Sequence, residues 1–408
     1  MKAARILSPL TAVIGCGFFT LVCPLSGQTW TPTSAPTNYW QAITTSADGM
    51  KLAAVTGGKV PGPIYVSKDG GGTWTTNGAP SAIWGDIASS ADGNILMASV
   101  ASYWGTNVLY VSTNAGATWI ANTNVPWFRS LACSADRRKW IASAGTNGIY
   151  TSTNAGTTWT SQNVPAGFWT CVASSAAGDK LAAAMTTNLA SYAYRIYVSR
   201  DSGNSWIQTG VPAWCWGAIA ASADGTKWFA TASLTAYSPN AIYRSVDSGT
   251  NWAPTSAPNN RWYSIAASAN GNKLLAAASL DGNNMFPVPL YLSTNAGSSW
   301  VSTGSPGKYW FDVTLSADGS RAAAIGYIQG AIWTSQTPPA PQLNLKPAGA
   351  NLTLSWTVPS TNFVLQQSSN LSGWSDVTNP PVLNLSNLQN EVVLSPTGSS
   401  GFYRLKMP

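Results

Sequence analysis

Residues 112–119 read STNAGATW, and this octapeptide returns along the chain in altered forms. It recurs as SKDGGGTW from Ser67, STNAGTTW from Ser152, SRDSGNSW from Ser199, SVDSGTNW from Ser245 and STNAGSSW from Ser293. Six copies of Ser-x-Asp/Asn-x-Gly-x-x-Trp therefore stand 40 to 48 residues apart. A short Asp or Asn side chain hydrogen-bonds its own backbone in a tight turn, and Gly supplies the positive φ such turns need. A period of this length is the mark of a repeat architecture, with one supersecondary unit per copy.

Working outward, a second marker has a different count. SADG or a close variant begins at Ser46, Ser90, Ser134, Ser175, Ser222, Ser268 and Ser316, seven times in all. Six residues before these serines stand Trp40, Trp84, Phe128, Trp169, Trp216, Trp262 and Trp310. In the first unit WQAITTS leads into the Asp48-Gly49 turn, and KLAAVTG, PIYVS and TWTTNGAP follow. Each segment is short and strand-like, and turn residues separate them. Four short strands per unit, here A to D, make a propeller blade. The seventh unit stops before any Gly-x-x-Trp, while an orphan GQTW stands at Gly27–Trp30. The fold class expected is all-β: a seven-bladed β-propeller over residues 28–337, its last blade completed by the N-terminal strand. Such a 3+1 clasp leaves no open sheet between first and last blades. Residues 338–342 read as a Pro-rich linker and 343–408 as a small β-sandwich-like domain, with Trp356, Phe363, Trp374 and Tyr403 as its expected core.

The octapeptide resembles the Asp-box, or BNR, repeat of sialidase-like β-propellers, a superfamily that includes photosystem II assembly factors and xyloglucanase-type glycosidases. The C-terminal segment resembles the fibronectin-III-like tails of secreted bacterial proteins. The resemblance implies that the Asp-box turns are structural and lie opposite any active face. It does not carry sialidase chemistry, whose Tyr–Glu pair needs a glutamate; the single one here is Glu391, outside the propeller. In xyloglucanase-type enzymes two Asp do the work, which leaves a pair of aspartates open.

Composition narrows the chemistry further. The chain has no histidine, so His-based acid/base catalysis and His nucleophile pairs are excluded, as are most zinc sites. Cys133, Cys171 and Cys215 follow the leader with neither CxxC nor metal spacing, so no metal and no cofactor are expected. Net charge is +7, but the basic residues are scattered, and nucleic acid is not an expected partner. Residues 1–27 read as a signal peptide, with Lys2 and Arg5, an apolar Ile6–Val22 run and a small-residue exit. A lipoprotein box ending at Cys16 and an uncleaved anchor are two other readings, and the anchor would be the one membrane contact. The expected product is a monomer that is secreted, periplasmic or on the surface of a bacterium.

Chain direction places the Asp-box and A–B turns on a lower face and the D–A and B–C loops on an upper one. Lys51, Lys139, Lys180, Lys227, Lys273 and Arg321 follow the A–B turns as a lower basic ring. Long B–C loops bring Tyr103, Trp104, Tyr192, Tyr194, Arg195, Tyr237 and Phe286 to the upper face. Aromatics among Asn, Ser and Thr suit sugar rings, which stack an apolar face and hydrogen-bond at their rim. Trp84, Trp169, Trp216, Trp262 and Trp310 head strand A near the channel mouth, either as packing or as a binding ring. Asp86 and Asp312 are the acids two residues past a strand-A tryptophan. The expected function is non-catalytic binding of an extracellular glycan or surface protein. A glycoside hydrolase using Asp86 and Asp312, or a structural scaffold, is the alternative.

Overall fold

The computed structural model describes residues 5–6, 29–58, 60–76, 78–101, 107–186, 194–232, 240–281, 287–326, 330–336, 343–348, 351–357, 364–369, 373–387, 389–395 and 402–406. Among these there are strands and turns and no helix. Between Trp30 and Gln336 the strands form seven four-stranded antiparallel sheets, six of them in simple chain order from A to D. Sheet I comprises Trp40–Thr45, Leu52–Thr56, Ile64–Ser67 and Thr75–Thr76. The A strands of the others are Trp84–Ser89 (II), Ser130–Cys133 (III), Phe168–Ser174 (IV), Trp216–Ala221 (V), Asn260–Ala267 (VI) and Trp310–Leu315 (VII). Each A strand touches the A strand of the next sheet, and that of VII touches that of I. The cycle closes around a central channel.

Sheet VII takes its fourth strand from the other end of the chain. Trp30–Pro32 runs antiparallel to Ile332–Gln336, with Trp30 opposite Ser335 and Pro32 opposite Trp333. Trp30 is buried, and its ring lies 6.4 Å from Trp310. That is the place Trp206 takes against Trp169, also at 6.4 Å, and Trp300 against Trp262 at 6.2 Å. Trp30 thus fills the role that the octapeptide tryptophan fills elsewhere.

Aromatic pairs within each sheet explain why the repeat keeps an aromatic at the head of strand A. Trp40 meets Tyr65 at 5.1 Å, Trp84 meets Tyr110 at 5.4 Å, and Trp216 meets Tyr243 at 5.4 Å, all edge to face. Phe128–Tyr150, Trp169–Tyr197, Trp262–Tyr291 and Trp310–Trp333 complete the set, one pair per sheet. The partner ring comes from strand C, so each pair ties the inner strand to the third and fills the space toward the preceding sheet.

Hydrogen bonds join the sheets at the lower end. In six of the seven A–B turns the Ala donates its amide to the corresponding Ala carbonyl of the next sheet: Ala47 to Ala91, Ala135 to Ala176, Ala176 to Ala223, Ala223 to Ala269, Ala269 to Ala317 and Ala317 back to Ala47. The basic ring also points sideways rather than out. Lys51 donates to Asp92 O at 2.9 Å, Lys180 to Asp224 O at 2.8 Å and Lys227 to Asn270 O at 2.8 Å. The turn glycine makes room for that side chain: a Cβ on Gly93, at φ +67°, would stand 2.8 Å from Lys51 Cδ.

Beyond residue 342 two further small sheets share a core of Leu354, Trp356, Leu365, Val392, Leu394, Tyr403 and Leu405. Arg5–Ile6 pairs in parallel with Phe402–Tyr403 at the edge of one of them. Trp356 and Tyr403 take their expected core places, and Phe363 lies outside the described residues. Trp374 is a correction: it is half-exposed, and the Arg404 guanidinium stacks over it at 4.2 Å.

Candidate functional site

Strand A carries the chemistry because it alone faces the channel, and its first residues set the upper mouth. In sheets I, II, IV and VII the register with strand B slips by one residue just after the leading tryptophan, and in sheet VI around it. A bulge leaves one residue unpaired and re-aims its side chain. The residues so placed are Gln41, Gly85, Thr170, Tyr263 and Phe311, different in every sheet. Tyr263 and Phe311 meet at 5.6 Å from neighbouring sheets, and the Arg261 guanidinium lies 5.6 Å from the Tyr263 ring. Tyr39 and Tyr309, one residue before the leading tryptophan in sheets I and VII, are 41 % and 44 % exposed. Sheets VI, VII and I therefore carry a run of aromatic rings along one side of the upper mouth. Across the cycle, exposed Arg129 lies 5.6 Å from the ring of Phe168.

Below this rim stand the two aspartates. Asp86 accepts from Ile87 N at 2.8 Å and from Leu131 N, in the next sheet, at 2.7 Å. Asp312 accepts from Val313 N at 2.9 Å, Ile43 N at 2.9 Å and Ser264 Oγ at 2.6 Å, linking sheets VI, VII and I. Ser130 repeats the device by accepting from Val172 N. In sheets II, III, VI and VII the position two past the leading aromatic is thus a seam position, where a side-chain oxygen accepts from an amide of the adjoining sheet. Burial pushes the Asp86 carboxyl up to about 7 and the Asp312 carboxyl up to about 6, against these donors; the charge of Asp312 adds to the rise at Asp86. Both keep part of their surface open to the channel while protein surrounds them on all sides.

The sequence-derived site residues divide three ways. Tyr103, Trp104, Tyr192, Tyr237 and Phe286 lie outside the described residues. Trp84, Trp169, Trp216, Trp262 and Trp310 are fully buried. This corrects their reading as a binding ring, because each is enclosed between its own strand-C aromatic and the neighbouring sheet. Tyr194 is a second correction: it opens strand C of sheet IV opposite Thr186 and is buried, so it is core rather than loop. Arg195 is half-buried and donates to Tyr194 O at 3.0 Å. Sequence reasoning passed over Tyr39, Phe168, Tyr263, Tyr309 and Phe311. The available signal was the contrast inside the repeat: the leading tryptophan and the turn serine recur, while the residue beside that tryptophan changes chemistry from unit to unit.

No protein-family model matches the chain, and no curated protein matches it in sequence. Solved structures do match. The GH74 xyloglucanase of Xanthomonas campestris is 17 % identical with a TM-score of 0.58, over 81 % of this chain and 59 % of that one. The chain therefore spans about three fifths of that enzyme's length. YCF48 bound to D1 peptide is 14 % identical with a TM-score of 0.55, over 76 % of this chain and 97 % of that one. The β-propeller domain of Myceliophteria thermophila Cps50 (Swd1) is 13 % identical with a TM-score of 0.58, over 76 % and 100 %. At such identities the likeness reaches the fold and no further: the chain is an all-β protein built as a β-propeller.

Proposed function

We propose that this chain is an exported, closed seven-bladed propeller of Asp-box type that binds an extracellular glycan at its upper mouth and catalyses no reaction there. The observation that carries this reading is the division of labour along strand A. The two carboxylates suited to glycoside hydrolysis are engaged by backbone amides across sheet seams. The exposed or half-exposed aromatics Tyr39, Tyr263, Tyr309 and Phe311 gather instead on the rim, where apolar sugar faces stack. A protein partner is the second reading, favoured by the neighbour that was solved with a peptide bound. Fold alone selects neither.

The test is a glycan array and a peptide array probed with the exported chain and with Tyr263→Ala/Phe311→Ala. Glycan retention that falls at least about tenfold in the double variant, about 1.4 kcal/mol, with an unchanged melting temperature, is the expected result. Retention of peptides alone would move the reading to a protein partner. Polysaccharide cleavage lost on Asp86→Asn or Asp312→Asn would replace it with a hydrolase.

A further inference from the structure

The lower mouth of the channel is a cavity of about 200 Å³ lined by all seven A–B turns, among them Ala47, Ala91, Cys133, Ala176, Ala223, Ala269 and Ala317. The sevenfold repeat makes each turn a control for the others, and they are not alike. Ala47 and Ala317, in sheets I and VII, form one apolar cluster with Ala91, Ala269 and Leu383. Leu383 belongs to Val382–Asn384, the edge strand of a C-terminal sheet, and has no place in the repeat. Asp318, in the same turn as Ala317, is desolvated: burial raises its carboxyl against the donors it receives from Ser316 and Ser320. Its counterparts Asp92, Asp136 and Asp224 sit below their ordinary value, each held there by its turn serine and a local backbone amide despite partial burial. Lys273, which reaches Gly319 O, is lowered by burial at the same seam.

We propose that the C-terminal domain is a stopper: its Val382–Asn384 strand seats Leu383 against the lower mouth beside sheets VII and I, and makes the channel open at one end only. This goes beyond the binding reading and stands independently of it. The occupant is fixed by the chain itself, since Leu383 is already packed against the turn alanines. A ligand of the channel then has one approach, through the upper mouth, and the C-terminal domain acts within the molecule rather than as an outside attachment module.

The test uses the full chain. In a Cys133→Ser background, Ala317→Cys with Leu383→Cys should be joined by a short bismaleimide in most molecules at micromolar concentration, as an intramolecular product on a denaturing gel. Ala223→Cys with Leu383→Cys should give little. Hydrogen exchange on Leu383→Asp supplies a readout that needs no cross-link: protection of the 316–320 turn should fall about tenfold, while the equivalent 222–226 turn holds. Equal cross-linking of the two cysteine pairs, or unchanged exchange at 316–320 in Leu383→Asp, would overturn the stopper.

Discussion

Asp86 and Asp312 are acids that the fold makes harder to ionise. Their carboxyls stand near 7 and 6 where the ordinary value is 3.8, because burial outweighs the amide donors. The folded protein therefore binds these two protons more tightly than the unfolded chain. Their stabilisation is complete below about pH 4 and is lost as pH rises through the two folded values, at up to about 1.4 kcal/mol per pH unit for each group. Asp69 and Asp247 act with the opposite sign. A hydrogen bond from the Thr73 hydroxyl holds Asp69 at about 2, and the Asn251 amide holds Asp247 at about 2. Their contribution is present above the ordinary value and disappears as pH falls toward 2. The melting temperature should accordingly peak near pH 4 to 5 and decline toward pH 7, and Asp86→Asn should flatten the decline; a profile rising from pH 5 to pH 7 would contradict this. A second residue-scale case lies between sheets II and III. Sheet II carries Ile95 where the other sheets place Lys or Arg, and the facing turn carries Arg137 where the others have Gly. Arg137 adopts φ +73° and pairs with Asp92 at 3.1 Å, returning the missing cation from the opposite side. Ile95→Lys alone should destabilise, since it meets Arg137 where its counterparts meet glycine. In an Arg137→Gly background the same change should cost less, with a coupling of about 0.5–3 kcal/mol in a double-mutant cycle. The turn of sheet IV compensates in a similar way: Ala177 replaces the usual acid, and Asp179 accepts the Ser175 hydroxyl at 2.8 Å in its place.

Among elements, the fourth strand of sheet VII is the most consequential and was also the most legible. Two markers counted out of phase located it, because a repeat that ends one strand short must find that strand elsewhere. The pairing of Trp30–Pro32 with Ile332–Gln336 rests on three registered residues and one buried indole. Trp30→Ala should cost about 3–5 kcal/mol. Deleting residues 29–35 should lower the melting temperature by many degrees, and a synthetic peptide of residues 28–36 added in trans should recover part of the loss; a deletion that melts like the parent would dismiss the clasp. The A-strand bulges, by contrast, could not be read from sequence. Trp84-Gly85-Asp86 and Trp310-Phe311-Asp312 look like ordinary strand alternation, and only the register with strand B shows that one residue in each is unpaired. For that reason Asp86 and Asp312 stood out in the sequence only as the acids two residues past a strand-A tryptophan, while their partners, amides of Leu131 and Ile43 in other sheets, stayed hidden.

At the scale of the molecule, periodicity reveals what every unit must share and is silent on what the units do together. The leading tryptophans, turn serines and octapeptides repeat, so the architecture was plain. The rim is made of positions that do not repeat, and Tyr263 and Phe311 meet only where sheet VI packs against sheet VII. On the proposed binding reading, isothermal titration with a retained glycan should give a stable heat of binding, and prolonged incubation should release no shorter sugars. The clasp has one more consequence, for the order in which the protein comes into being. Trp30 leaves the ribosome roughly three hundred residues before Ser335 and cannot pair until that partner has been made, which places the sheet among the long-range, slow-closing topologies. Throughout that interval Ile332–Gln336 does not yet exist, and the first strand must travel unpaired. Closure therefore waits until the rest of the cycle has been made, and a chain stalled before residue 332 is an open ring with two adhesive edges.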